Sequence, residues 1–256
     1  YNLAAVHQQR GDFYVALDYA QQATQIARET QSSNLEVCYS LLGTIYHELQ
    51  QYTAATEAYK NAIEQGIESG GDNNPDLTRY YNNLGLLYDT QEQYAEAIPY
   101  FEKGQKIASQ NPSPQATADQ ADGYQYLGNT YVGLRDFTTA YQYLTQALQL
   151  KRDFYGNTHP EVARTVEGFT RYFQEQHQFD SALFYQQQAL IAEIPEFLED
   201  DIAINPTWQQ LQDYSRSYLT LNIKAELLYQ RYQQSEQLDD LTLAITTFAK
   251  ADSLMH

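Results

Sequence analysis

The sequence predicts an all-α protein built from stacked antiparallel helix pairs, and three observations carry that prediction. Glycine and proline number only 12 and 7 among 256 residues, and Gln, Ala, Leu and Tyr outweigh the strand-favouring Val and Ile. Three segments align without a gap: YSLLGTIYHELQQYTAATEAYKNAI from Tyr39, YNNLGLLYDTQEQYAEAIPYFEKGQ from Tyr81 and YQYLGNTYVGLRDFTTAYQYLTQAL from Tyr124. In each, apolar and aromatic residues recur at helical spacing, as expected of one supersecondary unit repeated along the chain.

The columns of this alignment explain the residue types. Each copy reads aromatic, two residues, Leu-Gly, two residues, Tyr, five residues, aromatic, two residues, Ala, three residues and a large apolar side chain. The fixed columns are Leu42, Leu84 and Leu127; Gly43, Gly85 and Gly128; Tyr46, Tyr88 and Tyr131; Ala55, Ala97 and Ala140. A glycine inside a helix costs about 1 kcal/mol against alanine, so its return in three copies requires an offsetting gain. Close approach supplies it: the first helix of a hairpin lies tight against the second, where the alanines are similarly small. The tyrosines then fill the space beside the contact, each burial contributing on the order of 2 kcal/mol.

Partial copies extend the array in both directions. NLAAVHQQRGDFYVALDYAQQA from Asn2 supplies Leu3, Ala4, Gly11, Phe13, Ala16 and Ala23 but begins part-way through its first helix. VEGFTRYFQEQHQFDSALFYQQQAL from Val166 supplies Phe169, Phe173, Phe179, Ala182 and Ala189, with Thr170 in place of the glycine. Five hairpins are therefore expected over residues 1–190, the first truncated, followed by a linker and a degenerate final hairpin over 191–256. The copies from Tyr39 onward start 42 or 43 residues apart. The excess over the usual period of about 34 lengthens the second helices and the linkers SGGDNNPDLT and YGNTHPEVA.

Thr158 before His159, Pro160 and Glu161 reads as a capping box with proline in the first turn, and Asn73 to Asp76 as a weaker version. His159 is thus read as a linker residue rather than a ligand or base. After IAEIPEFLEDDIAINP, Asn205 and Pro206 read as the cap and first turn of a long helix from Thr207 to about Gln233. Trp208, Leu211, Tyr214, Tyr218, Leu221, Ala225 and Leu228 form its apolar stripe, and Leu241, Ala244, Ile245, Phe248 and Ala251 mark a last helix.

The aromatic, Leu-Gly, Tyr and Ala columns closely resemble the tetratricopeptide repeat. That resemblance implies a right-handed α-solenoid acting as a non-catalytic scaffold, with a protein or peptide partner bound along a concave wall of first helices. The long period, NNLG and YGNTHPEVA resemble the kinesin-light-chain branch of the family, over roughly Tyr39 to Leu190. The tail from Leu221, with Lys224-Ala225 and Ala244, is similar to the hairpin preceding the caspase-like CHAT protease domain in bacterial repeat proteins. It implies an alternative function, a sensor region controlling such a protease within a longer chain.

Groove-facing positions of the family, carried onto this sequence, are Arg79, Asn82, Asn83 and Leu86, then Gln125, Tyr126 and Asn129, then Arg164, Glu167 and Arg171. Asparagine amides suit the backbone of an extended peptide and arginines a carboxylate; the plainer reading of polar residues on a helix face is solvation. The family's chaperone-tail clamp needs lysines that these positions lack. Tyr19, Tyr126 and Tyr185 lie off the strongest core columns and are candidate exposed anchors.

Composition narrows the partner. With 33 acidic against 15 basic residues the net charge is -18, which opposes nucleic acid and anionic membrane and favours a basic peptide. No apolar run approaches the roughly 18 residues of a membrane span, and no signal segment opens the chain. Tyr1 in place of methionine suggests a segment of a longer protein. A single cysteine permits a reducing compartment, and the cytoplasm is the expectation.

Dinucleotide, phosphate-loop, zinc-protease and serine-hydrolase motifs are absent, so no catalytic residue, metal or cofactor is expected. Cys38 reads as a small buried residue, and His7, His47, His159, His177 and His256 show no ligand spacing. Glu193, Glu196, Glu199, Asp200 and Asp201 lack the calcium-loop pattern and read as a solvated linker face.

Overall fold

The computed structural model describes residues 1–211 and 217–253, and every regular element among them is an α-helix. In chain order these are α1 (Asn2–Gln9), α2 (Phe13–Glu29), α3 (Leu35–Glu48), α4 (Tyr52–Gly70), α5 (Leu77–Thr90), α6 (Tyr94–Gln110), α7 (Pro114–Gly133), α8 (Phe137–Tyr155), α9 (Pro160–Gln174), α10 (Phe179–Glu193), α11 (Trp208–Leu211), α12 (Ser217–Ser235) and α13 (Leu238–Asp252). Consecutive helices pack as antiparallel pairs, the all-α repeat architecture that the aligned columns predict. Two compact units, residues 1–126 and 127–256, divide the chain within α7.

In the first unit two clusters of buried side chains follow one another from α1 to α6. Ala16, Ala20, Leu42 and Ile45 join α2 to α3, and Tyr59, Leu77, Tyr80, Leu84 and Ile107 join α4, α5 and α6. The column glycines set the closeness of the pairs. A Cβ on Gly43 would lie 2.5 Å from the Tyr59 ring, and one on Gly85 would lie 2.6 Å from Phe101. The glycines thus receive the large residues of the second helix rather than the alanines, although Ala55 and Ala97 are themselves fully buried. A second close approach lies farther along the same α5–α6 pair, because a Cβ on Gly104 would meet Asn82 Oδ1 at 2.8 Å and the Thr78 carbonyl at 3.2 Å; between successive pairs a Cβ on Gly66 of α4 would meet Leu77 of α5 at 2.8 Å.

In the second unit Gly128 meets Leu144 in the same manner, at 2.7 Å, and Val132, Ala140 and Phe169 complete that core. Farther along, Phe179, Leu183, Leu227, Leu228 and Ala244 join α10, α12 and α13. Leu190, Ile194, Phe197, Leu211, Leu221 and Ala251 form a cluster beneath the segment from Ile194 to Pro206.

Each hairpin turn has one solution. Gln50, Glu92, Arg135 and His177 adopt φ of 57°, 59°, 61° and 57°, and Gly11 takes their place in the first copy at 79°. The next N–H then returns to the carbonyl five residues back: Gln51 to Tyr46, Gln93 to Tyr88, Asp136 to Tyr131 and Gln178 to Phe173, all at 2.8–3.0 Å. This closes the last carbonyls of the first helix in a left-handed C-terminal cap.

Three boundary expectations are corrected. The N-cap of α9 is His159, whose Nδ1 accepts the Glu161 N–H at 3.2 Å, one residue beyond Thr158. Before α5 the turn is made by Asn74, which accepts the Asp76 N–H and donates to the Gly66 carbonyl, tying the linker to α4. Ahead of α11, Thr207 exchanges hydrogen bonds with Gln210, while the Asn205 side chain turns inward to Thr247. In the stripe that follows, Leu211, Leu221, Ala225 and Leu228 are buried, Trp208 and Tyr218 are exposed, and Tyr214 lies outside the described residues. On α13, Ala244 and Ala251 are buried, whereas Ile245 and Phe248 are exposed.

Candidate partner-binding surface

The family-derived positions separate into buried and accessible sets. Arg79, Asn83 and Leu86 follow one another at intervals of four and three on α5, which places them on one stripe of that helix. Arg79 is exposed, 3.9 Å from Asp76, with its guanidinium 5.7 Å above the Tyr80 ring. Asn83 and Leu86 are half-buried, and the Asn83 amide stands 3.5 Å from the Ser40 hydroxyl on α3, a contact at the limit of a hydrogen bond.

Asn82 does not belong to that stripe. It is 4% exposed, its Nδ2 donates to the Asp119 carbonyl at 3.2 Å, and its Oδ1 is enclosed against Gly104 and Gly123 with no hydrogen-bond partner. Gln125 is likewise buried, at 8%. Both occupy the position after the copy's opening aromatic, where α3 carries the buried Ser40, so this column is a polar seam inside the packing. The helical period explains the correction: one residue turns the side chain through about 100°, from groove to interface. Tyr126 is half-buried and stacks on Phe101 at 5.4 Å, leaving only part of the ring accessible.

In the second unit, Arg164 and Arg171 are exposed two turns apart on α9. Arg164 pairs with Glu161, which is also 3.3 Å from the buried Lys151. Glu167 is half-buried, with a carboxylate oxygen 3.3 Å from the Thr220 hydroxyl oxygen. Asn129 presses its Oδ1, which has no hydrogen-bond partner, against Gly168. Tyr185 is held between Phe169 and Phe173 at 5.0 and 5.2 Å, which makes it a core residue rather than an anchor. Tyr19, in the first unit, is exposed and stacks on His7 at 5.6 Å.

Burial pushes the Cys38 thiol up, so the thiol rather than the nucleophilic thiolate is favoured, and burial pushes the His47 imidazole down. Among the described residues no group of three or more His, Cys, Asp or Glu is placed to hold a metal ion. Nor is any helix among them long and apolar enough to cross a membrane. Of the acidic run, Glu196, Glu199, Asp200 and Asp201 are exposed, but Glu193 is buried and accepts the Thr220 hydroxyl at 2.8 Å.

Two features were not anticipated. Lys103 lies 5.5 and 5.7 Å above the rings of Tyr81 and Tyr100. Lys224 is wholly buried on α12 among neutral oxygens. Its place between Leu221 and Ala225 in an otherwise apolar stripe was the signal available in the sequence.

A sequence profile of the tetratricopeptide repeat matches residues 1–65, 34–110 and 119–190. The chain belongs to the tetratricopeptide-repeat family. Members of this family are characteristically interaction scaffolds, and the helix pairs, column glycines and left-handed turns described above are its framework. No curated protein matches the chain in sequence.

Solved tetratricopeptide-type structures match over most of its length. BtubC (BKLC) from P. vanneervenii is 18% identical, with 98% of this chain and 91% of that chain covered and a TM-score of 0.63. A putative kinesin light chain of Podosopora anserina with nearly identical repeats is 17% identical over 77% of this chain and 95% of that one, with a TM-score of 0.60. The Rap conjugation gene regulator of plasmid pLS20, solved in complex with the Phr* peptide, is 15% identical over 85% of this chain and 54% of that one, also at 0.60. At these identities the likeness concerns the fold.

Proposed function

We propose that this tetratricopeptide array is a non-catalytic scaffold whose first unit holds an extended peptide segment of a protein partner along α5. The observation that carries the reading is the stripe of Arg79, Asn83 and Leu86. These residues join a charge, an amide and an apolar contact on one accessible helix face, where the Arg79–Asp76 and Asn83–Ser40 contacts are both long. An amide that donates and accepts suits a peptide backbone, and an accessible guanidinium suits a carboxylate at its end or side chain. The peptide in the Rap regulator complex supports the ligand class. Arg164 and Arg171 on α9 are a second patch of the same chemistry in the second unit. A net charge of -18 favours partners carrying basic residues beside that carboxylate.

Selection on an array of immobilised peptides tests the proposal. The selected peptides are expected to lose at least tenfold in affinity against a variant with Arg79→Ala and Asn83→Ala, with helicity and melting unchanged. Full binding by that variant overturns the assignment of the α5 stripe.

A further inference from the structure

Between α10 and α11 the chain crosses as a non-helical strap, Ile194 to Pro206, whose main chain is gripped from beneath. The amide nitrogen of Gln187, buried on α10, lies 2.6, 3.0 and 3.2 Å from the carbonyl oxygens of Glu199, Asp201 and Ile204. Lys224, buried on α12, donates to Gln187 Oε1, the Ile204 carbonyl and Asn205 Oδ1 at 2.7, 2.9 and 2.7 Å, one acceptor for each hydrogen of its ammonium. Asn205 also donates to Thr247 on α13, and Gln210 on α11 reaches back to the Glu196 carbonyl at 2.9 Å. The carbonyls of Glu199 and Ile204 thus meet at a single nitrogen, and α11 is tied to the start of the strap.

With these carbonyls turned inward, the apolar side chains of the segment fall into two sets. Ile194 and Phe197 are buried, at 0% and 2%, in the cluster with Leu190, Leu211, Leu221 and Ala251. Leu198 is 72% exposed, Ile204 40%, and Trp208, at the start of α11, 44%. These three stand on stretches that the bonds above hold against one another, so they make a fixed apolar face rather than scattered exposed residues. Glu196, Glu199, Asp200 and Asp201 on the same segment are exposed, and the sequence holds no lysine or arginine between Arg171 and Arg216. Lys224 is enclosed and presents no surface to offset them.

We propose that the outer face of the strap docks a basic segment of a partner protein that also carries large apolar side chains. Leu198, Ile204 and Trp208 receive the apolar groups, and the four carboxylates receive the lysines or arginines. The apolar residues carry most of the affinity, because ion pairs between exposed groups contribute little. The carboxylates fix the sign of the partner, since an acidic segment meets like charge there. Anchoring the main chain from beneath removes the ordering cost that a free loop would meet on binding. The face lies in the second unit and is independent of the α5 stripe.

Fluorescence anisotropy of the full chain with a labelled, amidated peptide in which arginine and leucine alternate tests this at physiological ionic strength. Leu198→Ser with Trp208→Ser is expected to weaken binding about tenfold, and a peptide of alternating arginine and serine to bind the wild type about tenfold more weakly. Glu199→Gln with Asp200→Asn is expected to weaken binding about fivefold. Glu57→Gln with Glu64→Gln removes the same charge from exposed sites on α4 and is expected to leave binding unchanged. Absence of binding, equal losses from the strap and α4 pairs, equal affinity for the serine peptide, or full binding by the Leu198, Trp208 variant overturns the proposal. Where Trp208→Ser lowers the melting temperature, Leu198→Ser alone decides, because that side chain is the most exposed of the three.

Discussion

A methyl group on Gly85 would stand 2.6 Å from Cε1 of Phe101, a ring with no exposed surface. Gly43 bears the same relation to Tyr59 and Gly128 to Leu144, always sixteen residues on. The glycine is therefore a slot for the large side chain of the second helix. Phe101 cannot retreat, because Tyr126 stacks on it at 5.4 Å. Gly85→Ala is expected to destabilise the chain by about 1–3 kcal/mol through overpacking, against a helix-propensity gain of about 1 kcal/mol. Urea unfolding checks this, and Gly85→Ala with Phe101→Leu should recover part of the loss. Stabilisation by the single substitution would show that the slot does not govern the pair.

Asn82 and Asn83 are neighbours in sequence with opposite expected behaviour. Asn82→Ala removes a buried amide that bonds Asp119 and opens a cavity beside Gly104, so a loss of about 1–3 kcal/mol is expected. Asn83→Ala removes only the 3.5 Å contact to Ser40 and is expected to change stability by less than about 0.5 kcal/mol. Thermal melts of the two variants distinguish the packing residue from the surface one, and equal shifts would contradict the division.

The hairpin turns carry a conformation that only the first copy assigns to glycine. Glu92 sits at φ 59° where Gly11 sits at 79°, and a side chain in that region costs on the order of 1 kcal/mol. Glu92→Gly is expected to stabilise the protein by about 0.5–1 kcal/mol, read as a raised melting temperature. Arg135→Gly at the equivalent turn is expected to gain less, because Arg135 donates to the Glu175 carbonyl at 3.0 Å. A destabilised Glu92→Gly variant would mean that the turn is not strained.

The fold was legible because its rules are periodic. A column of glycine, tyrosine and alanine returns every 42 or 43 residues, and the close approaches at Gly43, Gly85 and Gly128 follow from it. The partner surface was legible only in part, since an error of one residue on a helix exchanges surface for interface, as at Asn82 and Gln125. Glu193, Gln187 and Lys224 escaped the reading for a different reason. Their burial depends on an irregular strap whose path has no period, and polar residues beside a linker look solvated until that path is known. The strap also diverts Asn205 from the capping role its sequence suggests, since Lys224 and Thr247 claim its side chain.

Tyr59 gives the chain a defined alkaline limit. Its hydroxyl donates to Thr44 at 3.2 Å inside the core, and burial pushes it up to about 12 from an ordinary 10.0. The protonated phenol is the neutral form, so the folded state keeps a proton that the unfolded chain releases near pH 10. This contribution is complete below pH 10 and is lost as pH rises from 10 to about 12, at roughly 1.4 kcal/mol per unit. Tyr80, pushed up to about 12 by the same burial, adds a second proton. Unfolding free energies at pH 9, 10 and 11 are expected to fall less steeply in Tyr59→Phe than in the wild type, by one proton. Parallel slopes would show that Tyr59 ionises in the folded core as readily as in water.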